Sequence, residues 1–239
     1  MNKSTISAYL RDHLENFSRK QDPGPYLVIS RQYGCEDVEL GQYLIEKLNL
    51  RNPEKPWKVY CKELLKQLAE ETGIPQEIIE REQYAKPNVL KDFLRGLTKG
   101  SIPDGFEIYK KVALIVRSIA FEGYSIIIGQ GSGMGVVTLG IENGLSVRIE
   151  APKDWRVAHV SIYEKIDKSA AEAKIEENDR QWKLIRRLYE EKNLREPAFA
   201  LFFDNSIFNR EQIGELILRA MEQKGLIAPP TAQISASGI

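Results

Sequence analysis

The apolar positions change period several times along the chain, and each change marks an element. Leu27, Val28 and Ile29 form an unbroken apolar run within Tyr26 to Ser30. That is the pattern of a parallel strand covered on both faces. From Val38 to Leu48 the period becomes helical, through Leu40, Tyr43, Leu44 and Leu48. Arg31 to Asp37 lies between them as a tight polar turn. The alternation then continues. Residues 57–60 predict a second strand, 62–71 a helix closed by Gly73, and 75–83 another helix. Phe106 to Phe121 predicts a long helix with Ile108, Val112, Ile115, Val116 and Ile119 on one stripe. Strands follow at 124–128, 145–149 and 199–204, and helices at 154–165, 170–191 and 209–224. The last helix opens on a cap-like Asn209 with Glu211 and Gln212 in its first turn.

Strands alternating with helices predict a three-layer α/β/α domain over residues 26–227, with a parallel sheet and ligands at the carboxyl ends of its strands. Three separated segments fall at such ends: 31–37, 129–135 and 204–206. Pro87, Gly96, Gly100, Pro103 and Gly105 break residues 84–105, which read as a mobile flap. Residues 4–20 predict an added helix, striped by Ile6, Leu10, Leu14 and Phe17 and ended by Asp22-Pro23-Gly24-Pro25. It either packs on the sheet edge or offers a surface to a partner, such as a second copy of the chain. Residues 228–239 are small and polar and read as a disordered tail.

Charge narrows the partners. Among 239 residues, Lys plus Arg equals Asp plus Glu at 34 each, which argues against a nucleic acid or an anionic membrane as the ligand. No apolar run approaches the ~18 residues of a membrane span. The N-terminus lacks an apolar signal core, so a cytoplasmic location is expected. Two cysteines, Cys35 and Cys61, make no disulfide framework.

The chemistry centres on the first strand, turn and helix. A strand turning sharply into a helix aims backbone N–H groups at an anion, most often phosphate. A standard phosphate loop ends in Gly-Lys-Ser/Thr; this one ends in Glu36-Asp37-Val38-Glu39. Gly34 to Val38 would form the cradle, and Arg31 would reach a phosphate from the strand end. Three readings of Glu36, Asp37 and Glu39 stay open. They hold Mg²⁺ through hard oxygens; or they repel a triphosphate, by about 4 kcal/mol per carboxylate at ~4 Å and an effective dielectric near 20; or they are ordinary helix-start acids. Gly129 to Gly135 is a second candidate loop, with Gln130 and Ser132 as neutral hydrogen-bonding groups or, alternatively, a plain flexible turn. Cys35 sits at a predicted helix N-terminus, where a thiol pKa can fall, and Cys61 ends the neighbouring strand; Cys35 reads either as a small loop residue or as a redox-sensing thiol. His13 and His159 stand alone and read as surface or packing residues. Trp57, Trp155 and Trp182 read as packing residues, with Trp182 alternatively covering a base.

Several stretches resemble one family in order. Ile29-Ser30-Arg31-Gln32-Tyr33-Gly34 is similar to the opening of the cytidylate kinase-like proteins, a branch of the nucleoside monophosphate kinases. Val59 to Leu64 followed by Ala69 to Ile74, Ala120 to Gly129, Arg148 to Pro152 with Arg156, Asp179-Arg180, and Phe203 to Ser206 continue the likeness over residues 26–224. The resemblance implies a fold like that of the P-loop nucleoside-triphosphate hydrolases and ATP-dependent phosphorylation of a nucleoside monophosphate, CMP or dCMP first. It puts ATP over Arg31, Gly34, Cys35, Glu36, Asp37 and Val38, with Mg²⁺ on Asp37 and Glu39. It puts the acceptor at Cys61, Gly129, Gln130, Gly131 and Ser132. Arg180, Arg186 and Arg187 would close over the phosphates from a lid at 168–196; a solvated helix face is the alternative for Arg186-Arg187. The phosphate-binding Lys and the Mg-holding Ser/Thr of ordinary kinases align with Asp37 and Glu39, and family members often lack that Lys already. The chain departs from the family at Cys35-Glu36-Asp37 (usually small residues), Cys61 (Asp) and Gln130 (Arg), and it has Trp182 and Leu184 where lid arginines are common. Those departures keep a second reading open: a non-catalytic nucleotide-binding or regulatory protein on a kinase scaffold.

Overall fold

The computed structural model describes residues 23–36, 38–61, 115–117, 119–130, 142–191 and 199–229, with side chains except at 130, 181, 182 and 184–191. Its elements are β1 (Tyr26–Arg31), α1 (Val38–Arg51), β2 (Lys58–Tyr60), β3 (Ser125–Gln130), β4 (Gly144–Glu150), α2 (Lys153–Glu164), α3 (Lys168–Glu191), β5 (Leu201–Asp204) and α4 (Arg210–Gln223). The strands form one sheet in the order β2-β3-β1-β4-β5, with every neighbouring pair parallel. The five expected strands are all present in it.

β1 is the central strand, as its unbroken apolar run requires: Tyr26 to Ser30 are all buried. On one sheet face, Leu27, Ile29, Ile128 and Val147 meet Leu40 and Leu44 of α1 and Ile213 and Ile217 of α4. Each such side chain contributes about 1.5–3 kcal/mol by leaving water. Val28 and Ile127 of the opposite face are buried too, as are Ile115, Val116, Ile119 and Ala120 from the helical residues before β3. α1 rides close on β2 and β3 through Gly41, where a Cβ would lie 2.7 Å from Ile128 Cδ1. Arg51 Nη1 donates to Glu222 Oε1 (2.6 Å) and Tyr43 Oη to Glu215 Oε1 (2.7 Å), strapping α1 to α4.

β3 runs two residues further than its apolar pattern suggests. Gly129 and Gln130, expected in a loop, pair in register with Ser30 and Arg31. The ladder to β1 supplies backbone partners that a turn there would forgo. α3 starts at Lys168 rather than Ala170, and Asp167 Oδ1 accepts from Ala170 N (2.8 Å) at that start. α4 carries the full capping box at Asn209 and Gln212. The expected helix at 4–20, the helices at 62–83, the flap at 84–105, the loop at 131–135, Asp37 and the tail from 230 lie outside the described residues. Among the described residues, no helix is long and apolar enough to cross a membrane.

Candidate functional site

The strand order reverses around β1, since the chain reaches β2 on one side and β4 on the other. A crevice opens at such a switch point, outside the carboxyl ends of the strands. The β1–α1 loop lies there. Cys35 N donates to Gln32 O (3.2 Å), closing a turn at Gly34, whose φ is +91°. Only glycine takes that conformation without strain, and space forbids a side chain as well: a Cβ would sit 2.9 Å from Val160 Cγ2 and 3.1 Å from Arg156 Cβ. Gln32 stitches the loop to β4, its N–H donating to Ile149 O (3.0 Å) and its Oε1 accepting from Ala151 N (3.1 Å).

Two arginines grip this loop from opposite sides. Arg156 of α2 is only 3% exposed. It donates to Tyr33 O (3.2 Å), to Ala151 O (3.1 Å) and, through both terminal nitrogens, to the Asp179 carboxylate on α3 (3.0 and 2.8 Å). On the other side Arg210, the first residue of α4, donates from Nε to Glu36 Oε2 (2.8 Å). Beside that pair, Glu36 N donates to Asn205 Oδ1 (2.8 Å), while Asn205 N donates to Glu150 O (2.7 Å) and Asn205 Nδ2 to Phe208 O (3.1 Å). Asn205 is buried, and it docks the β5–α4 corner onto the loop.

Further contacts hold the loop against α2. His159 Nδ1 lies 2.8 Å from Gly34 O. A carbonyl can only accept, so Nδ1 carries the proton. The imidazole stacks between Trp155 and Tyr163, at 4.8 and 6.3 Å between ring centres. His159 is therefore a packing residue, as its sequence context suggests, and it also touches the loop. Tyr163 Oη donates to Glu39 Oε1 (2.7 Å). Tyr33 Oη donates to Glu164, and Lys174 and that hydroxyl together hold the Glu164 carboxyl below the usual range. Under the loop, buried Arg148 donates to Ser30 Oγ (2.8 Å) and to Glu150 Oε1 (2.8 Å).

Arg31, Gly34, Cys35, Glu36 and Val38 are thus together around one turn, with Glu39 in the first turn of α1. Gln130 ends β3 beside Arg31, and Gly129 pairs with Ser30. Cys61 follows β2, and β3 stands between it and β1. Arg180 is exposed on α3 and pairs with Glu177 of the same helix; its neighbour Asp179 is what reaches the loop, through Arg156. Arg186 and Arg187 lie on α3 with side chains outside the described residues, as are Asp37, Gly131 and Ser132. Cys35 is a buried loop residue, and its burial counts against the redox-sensing alternative. Burial pushes its thiol up from 9.0 to about 12, although Arg156, Arg31 and Arg148 pull the other way. Desolvation outweighs the helix N-terminus because the sulfur is shut away from water. Among the described residues, no group of three or more His, Cys, Asp or Glu could hold a metal ion.

The cytidylate kinase-like family model matches residues 27–207. The chain belongs to the cytidylate kinase-like family. The match begins at β1 and ends just past β5, so it takes in the whole sheet and the loop that Arg156 and Asn205 fasten. Among solved structures, an uncharacterized protein from Eubacterium ventriosum aligns at 17% identity with a TM-score of 0.56, covering 83% of this chain and 98% of its own. A protein from Thermus thermophilus aligns at 15% identity with a TM-score of 0.38 over the same shares. No curated protein matches the chain significantly. Family membership brings a general link to nucleotide kinases, and the first of these structures supports the fold.

Proposed function

We propose that the chain binds a nucleotide at the β1–α1 loop and transfers a phosphoryl group from ATP to a nucleoside monophosphate, CMP or dCMP first. The observation that carries the reading is the Gly34 turn at the switch point of a sheet whose family is cytidylate kinase-like. Phosphoryl transfer asks a protein mainly for positioning and charge neutralisation. Gly34 lets the backbone come close to a phosphate, and the N-terminus of the 14-residue α1 favours its charge. ATP would supply the transferable phosphoryl group. Mg²⁺ would arrive largely on the phosphates themselves, as this ion commonly does, because Glu36 and Glu39 are already engaged by Arg210 and Tyr163. The Arg156–Asp179 bridge ties α3 to the loop, so closure of an α3 lid carrying Arg180, Arg186 and Arg187 would be felt at the phosphates.

One feature favours the second reading, a nucleotide-binding or regulatory protein without turnover. The Glu36 carboxylate stands at the loop, and its N–H is already taken by Asn205. Calorimetry with ATP, CMP and dCMP, with and without Mg²⁺, followed by a phosphorylation assay on each monophosphate, separates the two. The kinase reading expects Mg-dependent ATP binding, monophosphate binding and product. Binding without product, in folded protein, selects the regulatory reading. No nucleotide binding overturns both.

A further inference from the structure

We propose that Arg210 is the phosphate-binding cation of the β1–α1 loop, held in readiness by Glu36 and exchanged onto a nucleotide phosphate when one binds. This rests on the nucleotide-binding reading and goes beyond it by naming a residue outside every segment tied to phosphate binding above. Gln32 to Val38 contains no Lys or Arg, so apart from Arg31 at the strand end, a phosphate in this loop draws its positive charge from other elements. Arg148 and Arg156 are buried, and each is shared between two or more acceptors. Withdrawing either would strip the fold of its own bonds. Arg210 differs. Its side chain is 37% exposed, and among the described residues its hydrogen bonds go to the Glu36 carboxylate.

Its position also breaks a local rule. It is the first residue of α4, where the positive end of the helix dipole disfavours a cation. Local rules are most often broken at functional positions. Glu36, Glu39 and Glu211 offset that cost and raise its pKa, so it stays charged at any physiological pH. The arm is positioned in advance as well. Asn205 fixes the β5–α4 corner to Glu36 N, and the Asn209 capping box fixes the start of the helix. A guanidinium that grips one carboxylate fits two oxygens of a phosphate with the same fork. Glu36 therefore acts as a stand-in anion, and it competes with the incoming phosphate.

The opposite signs of two variants test this. Mg-ATP is titrated calorimetrically into the full chain and into R210Q, R210K and E36Q, with thermal unfolding as the check on the fold. R210Q should weaken binding about tenfold or more, the effect of a lost charged hydrogen bond. R210K, which keeps the charge without the fork, should lose less. E36Q should tighten binding, because the competitor is neutralised. If the pair is only a strut, R210Q and E36Q will shift affinity in the same direction or not at all while the parent still binds; that overturns the role of Arg210 and leaves nucleotide binding intact. If neither the parent nor E36Q binds Mg-ATP, this inference and the nucleotide reading fall together. Should R210Q unfold, R210K against E36Q carries the same sign test.

Discussion

The loop after β1 is held by an arginine–carboxylate contact on each side, and the two are built differently. Arg156 is buried, although its partner Asp179 is partly exposed, and it also satisfies two backbone carbonyls. Arg210 with Glu36 is partly open to solvent and stands nearly alone. The same pair of chemical groups thus serves as architecture on one side and is available for exchange on the other. Burial and the number of competing bonds make the difference, since removing one partner of a buried network leaves charge and carbonyls unsatisfied.

Mutagenesis can break this contrast. R156L should cost about 3 kcal/mol of stability, because Tyr33 O, Ala151 O and Asp179 all lose a donor. The matching R210Q change should cost less, about 1 kcal/mol, since the pair is partly open to solvent and the glutamine can still donate to Glu36. Denaturant unfolding of both reads the ratio, and equal losses would abolish the distinction. A sharper probe is G34A, on the Arg156 side. It combines a positive φ with a Cβ pressed against Val160 and Arg156, and about 1–3 kcal/mol should be lost. A cost below about 0.5 kcal/mol would mean that the turn relaxes freely.

The gentlest test uses Cys35, which lies between Gly34 and Glu36 in the loop and is buried. Its folded pKa of about 12 exceeds the ordinary 9.0. Below pH 9 the thiol is protonated whether the chain is folded or not, so its contribution is intact. Between pH 9 and 12 the unfolded chain loses the proton and the folded chain keeps it, so stability falls as pH rises, by up to about 1.4 kcal/mol per unit. C35A should flatten that alkaline decline between pH 9 and 11. In native protein at pH 8, a thiol reagent should modify half-exposed Cys61 first and reach Cys35 only on unfolding.

The sheet was largely legible in the residue pattern, because each strand carries its own apolar run and β1 announces burial on both faces. The turn at Gly34 and the cap at Asn209 were legible for the same local reason. What joins them was not. Arg156 meets Tyr33 across 123 residues and Asn205 meets Glu36 across 169, and no periodicity within one element encodes such a pairing. His159 looked isolated for the same reason, although its ring donates to Gly34. The burial of Cys35 was not legible, because a helix N-terminus is visible in sequence while the walls that bury the sulfur come from elsewhere. A signal for Arg210 did exist: a cation at the first position of a well-capped helix, where an acid would be expected.

The strand order also has a consequence in time. β1 is made early, yet Tyr26 pairs with Ser125 and with Gly144, each about 100 residues or more later. At roughly 5–20 residues per second of synthesis, the middle of the sheet waits about 5–20 s for its first neighbour. During that wait, Leu27 to Ile29 is an unpaired apolar strand at the ribosome's exit. The chain should therefore be most open to chaperone capture, and to aggregation, while residues 32–124 emerge.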